Sequence, residues 1–340
     1  MTRAPTIWHV GQVEPAPGGM SQVIRAYLGW PSFATTQRGV ASHGDGSWPR
    51  RLALFARALA TVATRPSRRH DVVVCHLSEG GSFVREGAVL LLARLRGVAT
   101  VAQLHGSRFV EFAERHPALV GAVLRRARRA LALNAETAAM ARAVAPGLVV
   151  TLLPNAVDPA PRRDTEALVV FGGEVGPRKG ADLLVRAWRD LDDRRGHRLV
   201  FAGPIVDEAV VDRAAPDVDY LGAIPHDELL ALLDRARVAC LPSYREGLPM
   251  FVLEAMARWT CVVATRVGGT PQALADGAGM LVDAGDLAAL TRALSAATTD
   301  GAWEEHAVRA HARVTSTYAA DVVFPRVERE WLAARDGAAR

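Results

Sequence analysis

Ala167-Leu168-Val169-Val170-Phe171-Gly172-Gly173-Glu174-Val175-Gly176-Pro177-Arg178-Lys179-Gly180 decides the fold. A continuous apolar run of this length reads as a strand covered on both faces. The Gly173–Gly180 turn closes it, and Ala181–Asp190 carries on with helical spacing. Strand, glycine turn and helix in that order make one unit of a parallel sheet. The turn also suits an anion, because glycines expose backbone N–H groups and a lysine adds a mobile point charge. Lys179 is the only lysine among 41 basic residues. Against this stands a plain compositional account: an arginine-rich chain in which one lysine remains by chance.

The same alternation extends outward in both directions. Predicted strands are Ile7–Val10, Asp71–His76, Ala99–Leu104, Ala130–Leu133, Val149–Leu153, Leu168–Gly172, Arg198–Ala202, Val218–Leu221, Val238–Leu241, Cys261–Thr265 and Gly279–Val282. Helical patterns fall between most of them, including Met20–Leu28, Leu52–Thr64, Arg85–Arg96, Pro117–Arg129, His226–Arg235, Pro249–Arg258 and Leu287–Thr298. This order predicts α/β architecture with parallel sheets and helices on both faces. At 340 residues two domains are expected. The proline-rich polar stretch Asn155–Arg163 reads as their linker. Pro31–Arg51 has weak periodicity and reads as a mobile loop, while Tyr318–Arg335 reads as one or two helices with Trp331 and Leu332 on the apolar side.

Composition narrows the function classes. Residues 1–164 hold 21 Arg against 10 Asp plus Glu, whereas the whole chain is only +5. A basic first half suggests an anionic partner: phosphates, a phospholipid surface or nucleic acid. No helix-turn-helix, zinc-finger or RNP-type pattern accompanies the charge, so nucleic acid is not expected. Cys75, Cys240 and Cys261 sit in apolar runs without C-x-x-C spacing and read as buried thiols. No apolar run approaches the roughly 20 residues of a membrane span, and the N-terminus shows no signal-peptide core. A cytoplasmic location is the expectation.

Four segments carry candidate chemistry, and each follows a predicted strand, where open α/β sheets bind ligands. Pro17-Gly18-Gly19 precedes a helix and either cradles an anion or is merely a turn. His105, in Gln103-Leu104-His105-Gly106, ends a strand and either projects into a cleft or packs. The lysine turn is the third. In the fourth, Ser243-Tyr244-Arg245-Glu246-Gly247-Leu248-Pro249, Glu246 lies in a Gly-Pro loop and Glu254 eight residues on, about two turns into the next helix. Carboxylates so placed suit pairs of hydroxyls.

Glu246 through Glu254 resembles the E-x7-E motif of retaining glycosyltransferases of family 4, which have the GT-B architecture. Pro17-Gly18-Gly19 resembles that family's glycine loop, His105 its strand-end histidine and Pro154-Asn155-Ala156-Val157-Asp158 its hinge segment. Gly173–Gly180 resembles the G-R-x-x-x-K-G turn, and Gly268-Gly269-Thr270-Pro271 the G-G-x-x-E turn. Two positions depart: Glu174 stands where the family has arginine, with Arg178 at the other end of the loop, and Gln272 stands where an acid is usual.

The resemblance implies two Rossmann-like parallel-sheet domains facing a cleft: 1–160 for the acceptor, 161–315 for the donor, and a C-terminal helix, 316–340, returning to the N-terminal domain. It implies transfer of a sugar, with retention, from a nucleotide diphosphate donor, UDP being the expected nucleotide, to a hydroxyl acceptor. His105, Lys179 and Glu246 become the catalytic candidates. Gly18, Gly19, Arg178, Lys179, Glu246, Gly247, Leu248, Pro249 and Glu254 become the donor-binding set, Lys179 on the diphosphate and Glu254 on the ribose. No cofactor beyond the nucleotide-sugar co-substrate and no metal are expected; Asp190-Leu191-Asp192 and Asp217-Val218-Asp219 read as solvated surface. The apolar segment 117–129 ends in four arginines. It reads either as a peripheral contact with an inner membrane face, for a lipid-linked acceptor, or as a surface helix whose cations complement its dipole. Rival functions are a non-catalytic nucleotide-sugar binding protein and a GT-B glucan phosphorylase or synthase.

Overall fold

The computed structural model describes residues 4–13 and 19–337. The chain divides into two compact units, Met1–Asn155 with Asp321–Arg340, and Ala156–Ala320. Unit 1 contains β1 (Thr6–Gly11), β2 (Thr36–Ala41), β3 (Val72–Leu77), β4 (Ala99–Leu104), β5 (Arg129–Ala132) and β6 (Val149–Leu152). Unit 2 contains β7 (Glu166–Gly172), β8 (Arg198–Ala202), β9 (Val218–Gly222), β10 (Ala236–Leu241), β11 (Cys261–Thr265) and β12 (Met280–Val282). Every pairing is parallel. The expected α/β class is therefore found in both units, as two doubly wound sheets.

The two sheets differ in strand order. Unit 2 runs β12-β11-β10-β7-β8-β9, the dinucleotide-fold order in which the chain starts at the centre, winds one way and crosses back. Unit 1 runs β2-β1-β3-β4-β5-β6, with the reversal between β1 and β3, as in the flavodoxin-type order. The reversals place a crevice at the carboxyl ends of β7 and β10 in one unit and of β1 and β3 in the other. Val73, Val74 and Cys75 of β3, and Val169, Val170 and Phe171 of β7, are fully buried, as strands sandwiched by helices require.

One strand and one helix depart from the sequence reading. β2 lies inside Pro31–Arg51, which reads as a mobile loop; Thr36–Ala41 pairs with β1 along six positions. As an edge strand that opens with Thr, Gln, Arg and Gly it has half its residues exposed, so no apolar run announces it. The helix expected over 117–129 ends at Leu124, and Arg129 already belongs to β5. Its residues Val120, Val123 and Leu124 are core, while Leu119 is 40% exposed and Arg125 and Arg126 lie at the surface.

The C-terminal helix Ala320–Asp336 packs within unit 1. Phe324 and Trp331 meet the Tyr27 ring edge-on at 5.2 and 5.1 Å, Phe33 stacks on Phe324 at 5.5 Å, and Glu330 bonds Arg129 at 2.7 Å. Trp331 is fully buried.

Candidate functional site

In unit 2 the topological reversal brings the two most informative turns together. Gly180 adopts a left-handed φ of +71°, and a Cβ there would stand 2.1 Å from the Pro242 carbonyl oxygen. Only glycine permits that approach. Tyr244 donates its N–H to the Arg178 carbonyl at 3.0 Å, so the turn after β7 is fastened to the loop after β10. The result is a buried ion pair. Lys179 Nζ lies 2.6 Å from Glu246 Oε1, with the side chains only 14% and 8% exposed. Ser243 Oγ donates to the same carboxylate oxygen at 2.7 Å. In a pair so largely withdrawn from water the cost of desolvation offsets much of the Coulomb attraction.

A third turn supports the loop from beneath. Gly268, after β11, has φ +53°, and a Cβ on it would sit 1.9 Å from the Glu246 carbonyl oxygen. Its neighbour Gly269 donates to the Gly247 carbonyl at 2.6 Å. The Gly-Gly pair thus sets the height of the Glu246–Leu248 backbone. Leu248 is buried, and Pro249 precedes the helix Met250–Ala257 that carries Glu254.

Glu254 is almost fully buried and its Oε1 lies 2.8 Å from His226 Nε2. His226 opens the helix that follows β9. The sequence assigns neither His226 nor Ser243 a role: Ser243 stands three residues before Glu246 but a serine beside a proline carries no signal, and His226 becomes a neighbour of Glu254 only through the fold. Arg178 is turned to Glu174, 2.7 Å apart with both side chains substantially exposed. Glu174, which stands where arginine is expected, is therefore paired with the cation at the far end of the same turn.

Asp190 and Asp192 are exposed beyond a helix end, and exposed Asp219 bonds Arg198 at 3.0 Å. Among the described residues no three His, Cys, Asp or Glu side chains gather in a metal-binding group. Gly18 lies outside the described residues, and Gly19 opens the first helix, Gly19–Gly29.

His105 belongs to unit 1, where it follows β4 and donates its backbone N–H to Leu77 O at 2.8 Å. It is the outermost of three ring-to-ring histidines. His76 Nδ1 faces His105 Nε2 at 2.9 Å, His9 Nδ1 faces His76 Nε2 at 3.1 Å, and His9 Nε2 meets Gln37 Oε1 at 2.9 Å. Burial pulls the imidazolium of His9 and of His105 down to about 4, and that of His76 well below its usual range. All three are neutral at neutral pH. His9 and His76 carry no sequence signal of their own, being single polar residues inside apolar strands.

Residues 166–300 match the family model described as Glycosyl transferases group 1. Among curated relatives, the D-inositol 3-phosphate glycosyltransferase of Corynebacterium efficiens is 33% identical over 42% of this chain and 39% of its own length. The glycogen synthase of Mycobacterium tuberculosis is 31% identical over 56% of this chain and 50% of its own. The chain therefore matches half or less of these relatives. Solved structures are similar throughout. Sucrose-phosphate synthase of Thermosynechococcus elongatus has a TM-score of 0.75 at 19% identity, covering 98% of this chain and all of that one. HepE of Anabaena, in complex with UDP-glucose, has a TM-score of 0.74 at 15% identity, covering 97% and 99%. The fold is that of the GT-B glycosyltransferases.

Proposed function

We propose that this chain is a glycosyltransferase that moves a sugar, with retention at the anomeric carbon, from a nucleotide diphosphate donor to a hydroxyl acceptor. The observation that carries the reading is the buried Lys179–Glu246 pair at the β7/β10 reversal, inside the stretch that matches the group 1 family model. In this reading the donor diphosphate lies along the Gly173–Gly180 turn, with Lys179 against it. Glu254, held by His226, takes the ribose hydroxyls, while Glu246 takes a sugar hydroxyl through its second carboxylate oxygen. The Gly247–Pro249 loop lies beside the phosphates. As the bond from the anomeric carbon to the phosphate oxygen breaks, its electron pair passes to the diphosphate, the acceptor oxygen bonds the same face of that carbon, and the hydroxyl proton leaves on the departing phosphate oxygen. Lys179 and the turn's N–H groups stabilise that charge without reorganising. Arg178 is tied to Glu174, so the turn carries one uncompensated phosphate contact fewer than a G-R-x-x-x-K-G loop. UDP is the nucleotide proposed, since HepE holds UDP-glucose on the same fold.

Incubation with a panel of radiolabelled nucleotide sugars tests the reading. Transfer or hydrolysis that disappears in Lys179→Ala and Glu254→Ala supports it, and equal turnover in those variants would refute the site. Sugar release from glucan by inorganic phosphate would point to a phosphorylase, and tight donor binding with no turnover to a binding protein.

The acceptor's chemistry is proposed only as a hydroxyl compound. Contact with a lipid surface, if the acceptor is lipid-linked, has two candidates, the segment 117–129 with exposed Leu119 and the helix Trp48–Thr64. No helix of the described residues is long and apolar enough to span a membrane. The helix Trp48–Thr64 leaves Trp48 73% and Leu52 50% exposed, next to Arg50, Arg51 and Arg57, and no acidic residue lies between Asp45 and Asp71. An exposed aromatic and aliphatic pair with cations around it suits an anionic headgroup layer. Co-sedimentation with phosphatidylglycerol vesicles should fall in the Trp48→Ser/Leu52→Ser variant; binding that the double substitution leaves unchanged would exclude this surface.

A further inference from the structure

The histidine chain in unit 1 has a direction, and that direction is fixed from its far end. Gln37 Nε2 is 3.2 Å from the Thr35 carbonyl oxygen and 2.7 Å from Thr35 Oγ1. A backbone carbonyl can only accept, so the Gln37 atom facing it is the NH2 group and the atom facing His9 is the carbonyl oxygen. Thr35 in turn spends its hydroxyl proton on Glu328 Oε1, 2.6 Å away, and its backbone N–H on the same oxygen at 2.9 Å. Glu328 stands on the C-terminal helix.

Each assignment forces the next. Gln37 Oε1 accepts, so His9 Nε2 carries the proton; a neutral ring then leaves His9 Nδ1 as acceptor. His76 Nε2 must donate to it, which leaves His76 Nδ1 as acceptor. His105 Nε2 must donate to that, and His105 Nδ1 is left as a bare lone pair. The opposite polarity would set the Gln37 oxygen against a ring lone pair. Every bond in the row points its proton toward Glu328, so the bonds polarise one another in one sense. His105 remains partly open to solvent.

We propose that Gln37, His9 and His76 are positioning residues that hold His105 in a single tautomer, with Nε2 protonated and Nδ1 offered as an acceptor to a ligand hydroxyl. His105 then recognises a group that donates a hydrogen bond, such as a sugar hydroxyl, and does not serve a phosphate oxygen, which can only accept. The assignment rests on the reading of His105 as part of the transfer site only for what the lone pair meets; the tautomer is a property of the unliganded protein.

Long-range proton–nitrogen correlation spectra of the full chain labelled with 15N-histidine read the tautomers directly, with His9, His76 and His105 assigned by single His→Gln variants. The expected result is protonated Nε2 and unprotonated Nδ1 in all three rings. A His105 that is protonated on Nδ1, or that exchanges between tautomers, would overturn the proposal. Gln37 is only partly buried on an edge strand, so it can be replaced without disturbing the core. Gln37 Oε1 is the acceptor at the head of the row. Gln37→Met removes it and should let His105 exchange, so that about half of the molecules present the acceptor and affinity for a hydroxyl ligand at this ring falls about twofold. An unchanged His105 spectrum in Gln37→Met would show that the row does not set the tautomer. If no nucleotide sugar is turned over, the function proposed above fails while these spectra still decide the tautomer.

Discussion

Lys179 and Glu246 are neutralised by each other before any ligand arrives, and this makes single substitutions costly in two ways. Lys179→Ala removes the cation from a carboxylate that is 8% exposed and leaves it the hydrogen bond from Ser243. The folded state should lose about 1–3 kcal/mol, and donor turnover should fall by about 100-fold or more. Chemical denaturation paired with the radiolabelled assay separates the two effects; a variant that loses stability yet keeps turnover would place Lys179 outside the chemistry. His9 makes a second prediction at this scale. Its folded-state value of about 4 lies below the ordinary imidazole value, so between the two the unfolded chain binds a proton that the folded chain refuses. Stability from this group is complete above about pH 6.5 and is lost on acidification toward 4, by about 3 kcal/mol at 1.36 kcal/mol per unit. Urea titrations near neutrality and near pH 4.5 should show that loss, and His9→Gln should reduce it; parallel pH dependence in the two proteins would contradict the assignment.

Among the elements, the turn after β11 is the one whose backbone dictates the site. Gly268→Ala would need a left-handed φ of +53° and push a methyl against the Glu246 carbonyl. The expected cost is about 1–3 kcal/mol, together with weaker donor binding, because Gly247 moves with it. Calorimetric donor titration checks this, and unaltered affinity would mean that the turn is not a support for the loop. This contact also explains what was readable beforehand. Glycine pairs after β11 and β7 are visible in the sequence, and so is their order along the chain. What they press against is not, because Gly268 and Glu246 meet only once β10 and β11 lie side by side. Strands buried along their whole length, such as β3, β4 and β11, were legible as apolar runs. β2 was not, since an edge strand facing solvent needs no apolar residues. The segment 117–129 misleads for the opposite reason: its arginines continue the pattern past Leu124, while the backbone has already turned toward β5. His9 and His76 stay silent in the sequence because a polar residue in an apolar strand is informative only when its partners on adjacent strands are known.

For the molecule as a whole, the unequal continuity of the units sets the expected response to truncation. Unit 2, Ala156–Ala320, is one uninterrupted segment. Unit 1 depends on the helix Ala320–Asp336 to cover Tyr27 and Phe33 and to supply Glu328 to Thr35. Removing residues 321–340 should destabilise unit 1 selectively. Hydrogen exchange should show β1, β3 and β4 losing protection while β7, β8 and β10 keep theirs; uniform loss over both sheets would refute the separation.

The same discontinuity has a consequence for synthesis. A ribosome releases β1 to β6 first, yet Trp331 and Phe324, which close over Tyr27, emerge some 170 residues after β6. During translation at roughly 5–20 residues per second, unit 2 can therefore complete its core while the earlier unit waits with an open aromatic pocket. The domain begun first is finished last, and until then Tyr27 lacks the two rings that close over it.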